Sequence, residues 1–246
     1  FDTLKAAFNN ITSPTMMKYI GTSFLAYLLT YCIGTSLALL FSYFIYKKLP
    51  MGGMFKVFLF LPSIISAIVI AVIFLYFVEN AIPAISKDLF NKPMQGLLQN
   101  SNTRFGTVIF YNILISFGTS VLMYSNAMSA IPNEVIEASR IDGCNPFREF
   151  IEIIIPSIFP TISTFAITSV AAIFLNQLSL FSLFGAYAEP DVITMGYYLY
   201  KETVLNASNE MTYPGLCAIG FLLTLIGVPM TLLTRFLLDK YGPSEK

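Results

Sequence analysis

Residues 137–156 read EASRIDGCNPFREFIEIIIP, a charged stretch that separates two strongly apolar ones. Residues 133–141 carry helix-forming side chains and follow Pro132, a residue preorganised for a first helical turn. Asp142 and Gly143 are predicted to end that helix, and Pro146 to begin a second short helix over residues 146–154. The stretch therefore predicts two short helices joined at a glycine.

The second predicted helix is amphipathic. Phe147, Phe150, Ile151 and Ile154 recur along one side. The charged side chains of the two helices are expected to be available to a soluble partner: Glu134, Glu137, Arg140, Arg148, Glu149 and Glu152. A rigid helix seated in a partner's groove can transmit movement, whereas an ordinary loop at the lipid headgroups would have the same composition. The pattern alone leaves both interpretations open.

The composition around this stretch is that of a membrane protein. Hydrophobic residues make up 56% of the chain, charged residues 11%, and mean hydropathy is +0.71. Lys and Arg balance Asp and Glu at 14 each, so no excess charge favours nucleic acid as a partner. The lipid bilayer is the partner that the composition predicts.

Five stretches are long and apolar enough to cross a bilayer as helices. They are predicted at Thr22–Tyr46, Phe55–Val78, Phe105–Met128, Ser157–Phe181 and Tyr213–Leu238. Residues 79–104 and 182–212 are too polar to insert and are predicted as connections on the outer side. The predicted fold class is an all-α integral membrane protein, with residues 1–246 as one transmembrane domain.

The first residues and the loop charges predict the orientation. Phe1, Leu4, Phe8 and Ile11 recur at helical spacing, which predicts a short amphipathic helix along the membrane surface. Basic residues predicted on the cytoplasmic side are Lys47, Lys48, Lys56, Arg140, Arg148, Arg235, Lys240 and Lys246. This assignment places the first residue outside and the last inside.

The chain lacks the residues that several classes of site require. The chain has no histidine and no GxxxxGK[ST] stretch, so it offers neither a His-dependent triad nor a nucleotide cradle. Cys32, Cys144 and Cys217 are dispersed, so we expect no metal site, cofactor or disulfide framework. An ion-driven carrier is disfavoured because Glu79, Arg104 and Arg235 sit toward span ends rather than at the bilayer midplane.

The quoted stretch resembles the EAA motif of membrane subunits of ATP-binding cassette importers: EAA, three residues, Gly, nine residues, then I, any residue, L, P. Glu137, Ala138 and Ser139 stand for EAA, Gly143 for the glycine, and Ile153, Ile155 and Pro156 for the ending. Ser139 and Ile155 are mild substitutions. The neighbouring residues look most like carbohydrate-uptake permeases related to the maltose and glycerol-phosphate systems.

This resemblance implies a type I importer permease fold, with residues 132–156 as a cytoplasmic coupling segment. The implied partners are two ATPase subunits, a second similar permease and an extracytoplasmic solute-binding protein. Six spans are usual in that family, so one more span is expected before residue 1. The residues implied to couple to the ATPase are Glu137, Ala138, Ser139, Asp142, Gly143, Asn145, Phe147 and Pro156. The chain itself is then expected not to be an enzyme.

Two polar groups are candidates for the solute path. Asn112, Ser116 and Thr119 share one face of the third span, where they either line a path or form hydrogen bonds between helices. Asn176, Gln177 and Ser179 lie near the outer end of the fourth span and suit sugar hydroxyls. Related permeases place sugar-contacting groups in these two regions, so the resemblance favours both.

The expected solute is a neutral sugar or oligosaccharide. A phosphate ester would favour a cation in the path, and a polyamine an acidic residue; neither lies deep in a predicted span, although both solute classes occur among related permeases. One departure weakens the inference from the family. Its Gly-Gly-Pro turn followed by threonine reads here Ala188, Glu189, Pro190 and then Thr194.

Overall fold

The computed structural model describes residues 2–47, 52–91, 94–208 and 210–243, which form helices and turns without a strand. The helices are α1 Asp2–Ile11, α2 Pro14–Tyr46, α3 Gly52–Ile64, α4 Ala67–Tyr76, α5 Ile82–Phe90, α6 Ser101–Ser129, α7 Asn133–Ile141, α8 Pro146–Glu149, α9 Ile155–Ser157, α10 Phe159–Ala171, α11 Leu180–Phe184, α12 Met195–Leu205 and α13 Tyr213–Tyr241. Short π-helical segments at Phe77–Ala81 and Phe150–Ile154 join their neighbours, and a 3₁₀ turn at Glu210–Thr212 precedes α13. The predicted all-α class is confirmed.

Four helical stretches in the described residues are long and apolar enough to cross a membrane. They are Pro14–Tyr46, Ala67–Leu89, Ser101–Ser129 and Tyr213–Tyr241. A fifth crossing results if Pro146–Ser157 and Phe159–Ala171, which meet at a 65° bend, count as one span. The bend falls where Pro160, near the start of α10, lacks the N–H that a continuous helix would use.

Two predicted spans were wrong in extent. The span predicted at Phe55–Val78 is broken after Ile64, because Pro62 weakens the end of α3 and Ser66, with ψ 132°, begins a new helix. Its second half runs on to Leu89, into residues predicted as a connection. The span predicted at Ser157–Phe181 stops as a helix at Ala171, and turns follow.

The predicted N-terminal helix is confirmed as α1, which packs against α13. Its buried residues are Ala7 and Ile11, whereas Leu4 and Phe8 are exposed. Of the predicted apolar positions that the structure describes, only Ile11 packs against the rest of the protein. Phe1, Lys48 and Lys246, used in the predictions for this helix and for the orientation, lie outside the described residues.

Apolar clusters fill the two ends of the bundle, where α2 packs extensively against α6. The hairpin-end cluster comprises Ala38, Ile45, Val121, Tyr124, Met128, Ile131, Ile136, Phe150, Ile154 and Ile158. A second cluster, around Tyr111 and Tyr197, packs the other end of α6 against α4, α11 and α12. Within the hairpin-end cluster, Ser42 donates from α2 to the Val121 carbonyl of α6 at 2.9 Å.

Candidate functional site: a central cavity and a terminal hairpin

A cavity of about 350 Å³ lies between α2, α6 and α10. Part of its wall comes from residues 172–179, here called the cavity turn, and from Thr194. The lining residues are Ser23, Ala26, Tyr27, Thr30, Tyr31, Gly34, Thr35, Ile113, Ser116, Phe117, Ser120, Tyr124, Phe165, Thr168, Ser169, Ala172, Ile173, Asn176, Leu178 and Thr194. No charged side chain is among these described lining residues.

Aromatic rings form much of the cavity wall. Tyr27 and Tyr31 stack on α2, with ring centroids 5.8 Å apart and an interplanar angle of 18°. Across from them, Tyr124 meets Phe165 edge to face at 5.4 Å. The side chain of Thr35 interacts with the hydroxyls of both Tyr31 and Tyr124, so it links α2 to α6 at the cavity. Flat apolar faces with hydroxyl groups at their edges suit the faces and rims of sugar rings.

The remaining polar groups are mainly hydroxyls that donate to their own helices. Ser116 donates to the Asn112 carbonyl at 2.9 Å, Ser120 to the Ser116 carbonyl at 2.9 Å, and Thr168 to the Thr164 carbonyl at 2.8 Å. Each keeps lone pairs that can accept a hydrogen bond from a solute. The buried Thr30 hydroxyl has no hydrogen-bond partner in the described part of the chain. The cavity can therefore bind the hydroxyl groups of a solute through polar side chains that carry no charge.

The predicted stripe on α6 lies partly off the cavity. Ser116 lines it, but Asn112 turns its amide to the carbonyls of Val108 at 3.0 Å and Leu178 at 2.7 Å. Thr119 is exposed and is not among the lining residues. The lining face of α6 is centred on Phe117, because adjacent helical residues are rotated by about 100°. Asn112 therefore forms a hydrogen bond between two segments, which is the alternative to lining the path.

The second predicted polar group lies on the cavity turn instead of on a helix. Leu178 and Ser179 have φ of 51° and 54°, a left-handed conformation that non-glycine residues seldom adopt. The Asn176 side chain, which lines the cavity, accepts from the Leu178 N–H at 2.8 Å. Gln177 has a buried Oε1 without a hydrogen-bond partner in the described residues, and the Ser179 hydroxyl lies 3.5 Å from Asn112 Oδ1.

Residues at the start of α12 hold the cavity turn in place. Thr194 caps α12 and donates to the Asn176 carbonyl at 3.1 Å, while the Met195 N–H donates to Ser23 on α2 at 2.8 Å. Gly196 packs so closely that an added Cβ would lie 2.5 Å from the Leu175 carbonyl oxygen. The threonine that persists from the family pattern is therefore part of the cavity wall.

Tyr197 fixes the connection that precedes Thr194. Its hydroxyl donates to the Gly185 carbonyl at 2.7 Å and accepts from the Ala188 N–H at 3.2 Å. Burial raises the pKa of Tyr197 above its ordinary value, and the Ala188 N–H opposes this shift. The phenol therefore remains protonated and able to donate near neutral pH.

The predictions from sequence missed the aromatic wall. Tyr27, Tyr31 and Thr35 repeat every four residues on α2, a spacing that places them on one helical face. This spacing of four residues is the sequence signal that could have identified the aromatic wall. Which face of α2 borders a cavity follows only from the positions of α6 and α10.

The predicted helix-turn-helix is confirmed at one end of the bundle. The segment of residues 132–156, here called the hairpin, contains α7, α8 and the π-helical residues that follow. Gly143 has φ 78° and ends the first helix, and the Asn145 side chain accepts from the Arg148 N–H at 2.8 Å to cap the second. Sequence alone located both helix starts and the break.

The hairpin presents part of its surface outward and buries the rest. Phe147 is 72% exposed and Ile141 86% exposed, which leaves apolar groups uncovered at the tip. Glu137, Ala138, Asp142, Gly143 and Asn145 are also exposed, and Pro156 is half-buried. Ser139 is buried and donates to the Ile136 carbonyl at 2.7 Å, so its side chain packs the first helix.

The prediction that Glu149 is available to a soluble partner was wrong. Glu149 is 2% exposed, and Lys47 Nζ at the end of α2 lies 2.5 Å from its Oε1 and 2.8 Å from its Oε2. The predicted apolar side is also divided, because Phe150 and Ile154 are buried while Phe147 and Ile151 are exposed. The two exposed residues lie four positions apart, as do the two buried ones, so the predicted apolar stripe straddles the edge of the packed surface.

Comparison with known proteins places these features in a family context. The family model described as "Binding-protein-dependent transport system inner membrane component" matches residues 30–244. The multiple sugar-binding transport system permease protein MsmF of Streptococcus mutans is 22% identical over 219 residues, which cover 89% of this chain and 74% of MsmF. The arabinooligosaccharides transport system permease protein AraP of Halalkalibacterium halodurans is 25% identical over 234 residues, 89% of this chain and 70% of AraP.

A shorter match and a solved structure complete the comparison. The probable ABC transporter permease protein MG188 of Mycoplasma genitalium is 30% identical over 122 residues, which cover 48% of this chain and only 36% of that protein. The crystal structure of a bacterial ABC transporter involved in the import of the acidic polysaccharide alginate contains a chain that superposes with a TM-score of 0.83 at 16% identity, over 96% of this chain and 83% of that chain. The predicted type I permease fold is confirmed.

Proposed function

The chain belongs to the family of binding-protein-dependent transport system inner membrane components, and we propose that it is the permease subunit of an ATP-driven importer of a neutral sugar or oligosaccharide. It is a multi-pass protein of the inner membrane. The names of MsmF and AraP, permeases of transport systems for multiple sugars and for arabinooligosaccharides, support a carbohydrate as the solute class.

The uncharged cavity carries this proposal. Its volume of about 350 Å³ lies in the range of small-molecule sites, and its wall combines the rings of Tyr27, Tyr31 and Tyr124 with many hydroxyl groups. A glycerol phosphate would lack a cation to pair with, and a polyamine an anion, among the described lining residues. The same consideration opposes an acidic polysaccharide, the cargo named for the alginate transporter.

The hairpin supports an ATPase as the energy source. Its exposed tip offers Phe147 and Ile141 as apolar anchors and Glu137 as a charged contact, a combination that suits a groove in a soluble protein. We infer that the complex contains two ATPase subunits and that one of them binds this tip in a cleft. We further infer that a second permease completes the path and that a solute-binding protein delivers the sugar from outside. A bacterial alginate ABC transporter that contains a chain of similar fold was crystallised in complex with an alginate pentasaccharide-bound periplasmic protein, which supports the last of these partners.

The test is reconstitution of the complete complex in proteoliposomes, with uptake of labelled sugar and ATP hydrolysis measured together. Tyr124→Ala should lower uptake at least about tenfold, because it removes an aromatic wall and a hydroxyl from the cavity. Tyr241→Ala, at an exposed site on α13, is the matched control and should leave uptake unchanged.

The alternative is an ion-coupled secondary carrier. Uptake that follows a proton or sodium gradient with no ATPase present would establish that alternative and overturn the proposal. Equal uptake by the Tyr124→Ala variant and the unmodified protein would show that this cavity does not carry the solute.

A further inference from the structure

The end of α2 and the start of α8 are joined by a buried ion pair. Lys47 Nζ lies 2.5 Å and 2.8 Å from the two carboxylate oxygens of Glu149. The side chain of Glu149 is 3% exposed and that of Lys47 is 22% exposed, so water reaches mainly the lysine. A buried carboxylate that loses its partner is left charged in an apolar environment, which makes the pair costly to separate.

Tyr43, one helical turn before Lys47, reinforces the same junction. Its hydroxyl donates to the Pro146 carbonyl at 2.9 Å, and its ring packs against Phe150 at 4.9 Å. The Lys47 ammonium lies over the Tyr43 ring, 5.4 Å from its centre. Tyr43 of α2 and Lys47, which directly follows α2, therefore contact three residues of the hairpin through an ion pair, a hydrogen bond and ring packing.

The covalent connections of the hairpin are less direct. On one side, α6 ends at Ser129 and the chain turns before α7 begins at Asn133. On the other side, the helix bends by 65° between Ser157 and Phe159. A movement passed along the chain would cross a turn or a bend in each direction, whereas α2 is one continuous helix of 33 residues.

The middle turns of α2, from Ser23 to Thr35, form part of the cavity wall. Thr35, which interacts with Tyr31 and Tyr124, lies twelve residues before Lys47, or about 18 Å along the helix. Between them the buried Ser42 bonds to α6. A continuous helix that is held at its C-terminal end moves as one rigid body.

We propose that Lys47 and Glu149 are a positioning pair that clamps the hairpin to α2, so that movement of the hairpin reaches the cavity wall through α2. This inference rests on the proposed function, since it names the route by which the ATPase would act on the cavity. The geometry also assigns Tyr43 to the clamp as a second, weaker contact.

The test compares ATP hydrolysis and sugar uptake in the reconstituted complex. Lys47→Met should lower the number of sugar molecules carried per ATP by about tenfold while hydrolysis continues. Lys47→Arg should restore the ratio, and so should the exchanged pair Lys47→Glu with Glu149→Lys. A purely structural defect would reduce the amount of assembled complex without changing this ratio.

Arg235→Met is the matched control. Arg235 forms an exposed pair with Asp239 on α13, at a distance of 3.6 Å, and exposed pairs contribute little. An unchanged ratio in assembled Lys47→Met complexes would overturn the clamp and leave the proposed function intact. If the unmodified complex hydrolyses no ATP in response to any sugar, the proposed function fails instead.

A second measurement does not depend on the folding of Lys47 variants. Cys32 on α2 and Cys144 in the hairpin are natural attachment sites for spin labels once Cys217 is replaced by serine. The clamp predicts one narrow distance between the two labels that is the same with and without a bound ATP analogue in the complete complex. A distance that changes on nucleotide binding would show that the hairpin moves relative to α2 and would overturn the proposal.

Discussion

Arg104 Nη1 lies 2.9 Å from both carboxylate oxygens of Asp191, at the opposite end of α6 from the hairpin. The same guanidinium donates to the carbonyls of Leu98 at 2.6 Å and Gln99 at 2.9 Å. Asp191 precedes the cavity residue Thr194 by three positions. The pair therefore ties the start of α6 to the connection that holds the cavity turn.

Replacement of Arg104 should destabilise the protein more than replacement of Asp191. Arg104→Met removes the ion pair and both bonds to backbone carbonyls, and we expect it to lower the free energy of unfolding by about 3 kcal/mol. Asp191→Asn removes only the charge of an acceptor that is 30% exposed, and about 1 kcal/mol is expected. Thermal unfolding of the two variants in detergent measures the difference. If the two variants lose equal free energy of unfolding, the hydrogen bonds from Arg104 to the Leu98 and Gln99 carbonyls do not have the stabilising role assigned to them.

Gly196→Ala should disturb the cavity turn. The added methyl group would meet the backbone at Leu175 and Asn176, which cannot yield as a flexible side chain could. We expect a loss of about 1–3 kcal/mol in the free energy of unfolding, measured by thermal unfolding, together with reduced uptake. Gly220→Ala on α13 is the control, because nothing lies within 4 Å of its added Cβ and alanine favours the helix. A Gly196→Ala variant as stable as the control would contradict the close packing.

Asn112→Ala and Thr119→Ala should separate two residues that sequence reasoning grouped together. Asn112→Ala leaves the Leu178 carbonyl without its donor and should cost about 1–3 kcal/mol in the free energy of unfolding. Thr119→Ala, at an exposed position, should change it by less than about 0.5 kcal/mol. Thermal unfolding and sugar uptake of both variants provide the measurement. If Thr119→Ala lowers uptake more than Asn112→Ala does, Thr119 contacts the solute path after all.

Gly143→Ala should strain the tip of the hairpin without a steric clash. Its φ of 78° disfavours a side chain by about 1–2 kcal/mol, although nothing lies within 4 Å of an added Cβ. We expect folded protein with weaker binding of the ATPase subunits, measured by copurification. Gly143→Asn is the control and should bind more nearly as the unmodified protein does, because asparagine tolerates this conformation. Indistinguishable binding by both variants and the unmodified protein would contradict a conformational role for the glycine.

The hairpin was predictable because its signals are local. Pro146, Asn145 and Gly143 act within a few residues of their own positions, through a fixed proline φ, a side-chain cap and a left-handed turn. The burial of Glu149 was not predictable, because its partner Lys47 lies far away in the sequence. A carboxylate on an amphipathic helix is usually solvated unless a distant cation reaches it.

The cavity was only partly predictable. Polar residues within apolar spans indicated α6 and the cavity turn, and Ser116 and Asn176 do line the cavity. The turn itself escaped prediction, because apolar residues continue from Ala171 to Leu175 with no glycine or proline to mark the end of the helix. Bonds from Asn112 and Thr194 stabilise that turn, and both donors come from other segments.

The sequence by itself determined a helical membrane protein with a capped, glycine-broken hairpin at one end, because apolar length and capping act along a single stretch of chain. Only the tertiary structure decided which helical faces border the cavity, where the fourth span stops, and that Lys47 meets Glu149. Those outcomes depend on the rotation and separation of packed helices, so they arise only when segments distant in sequence meet in space.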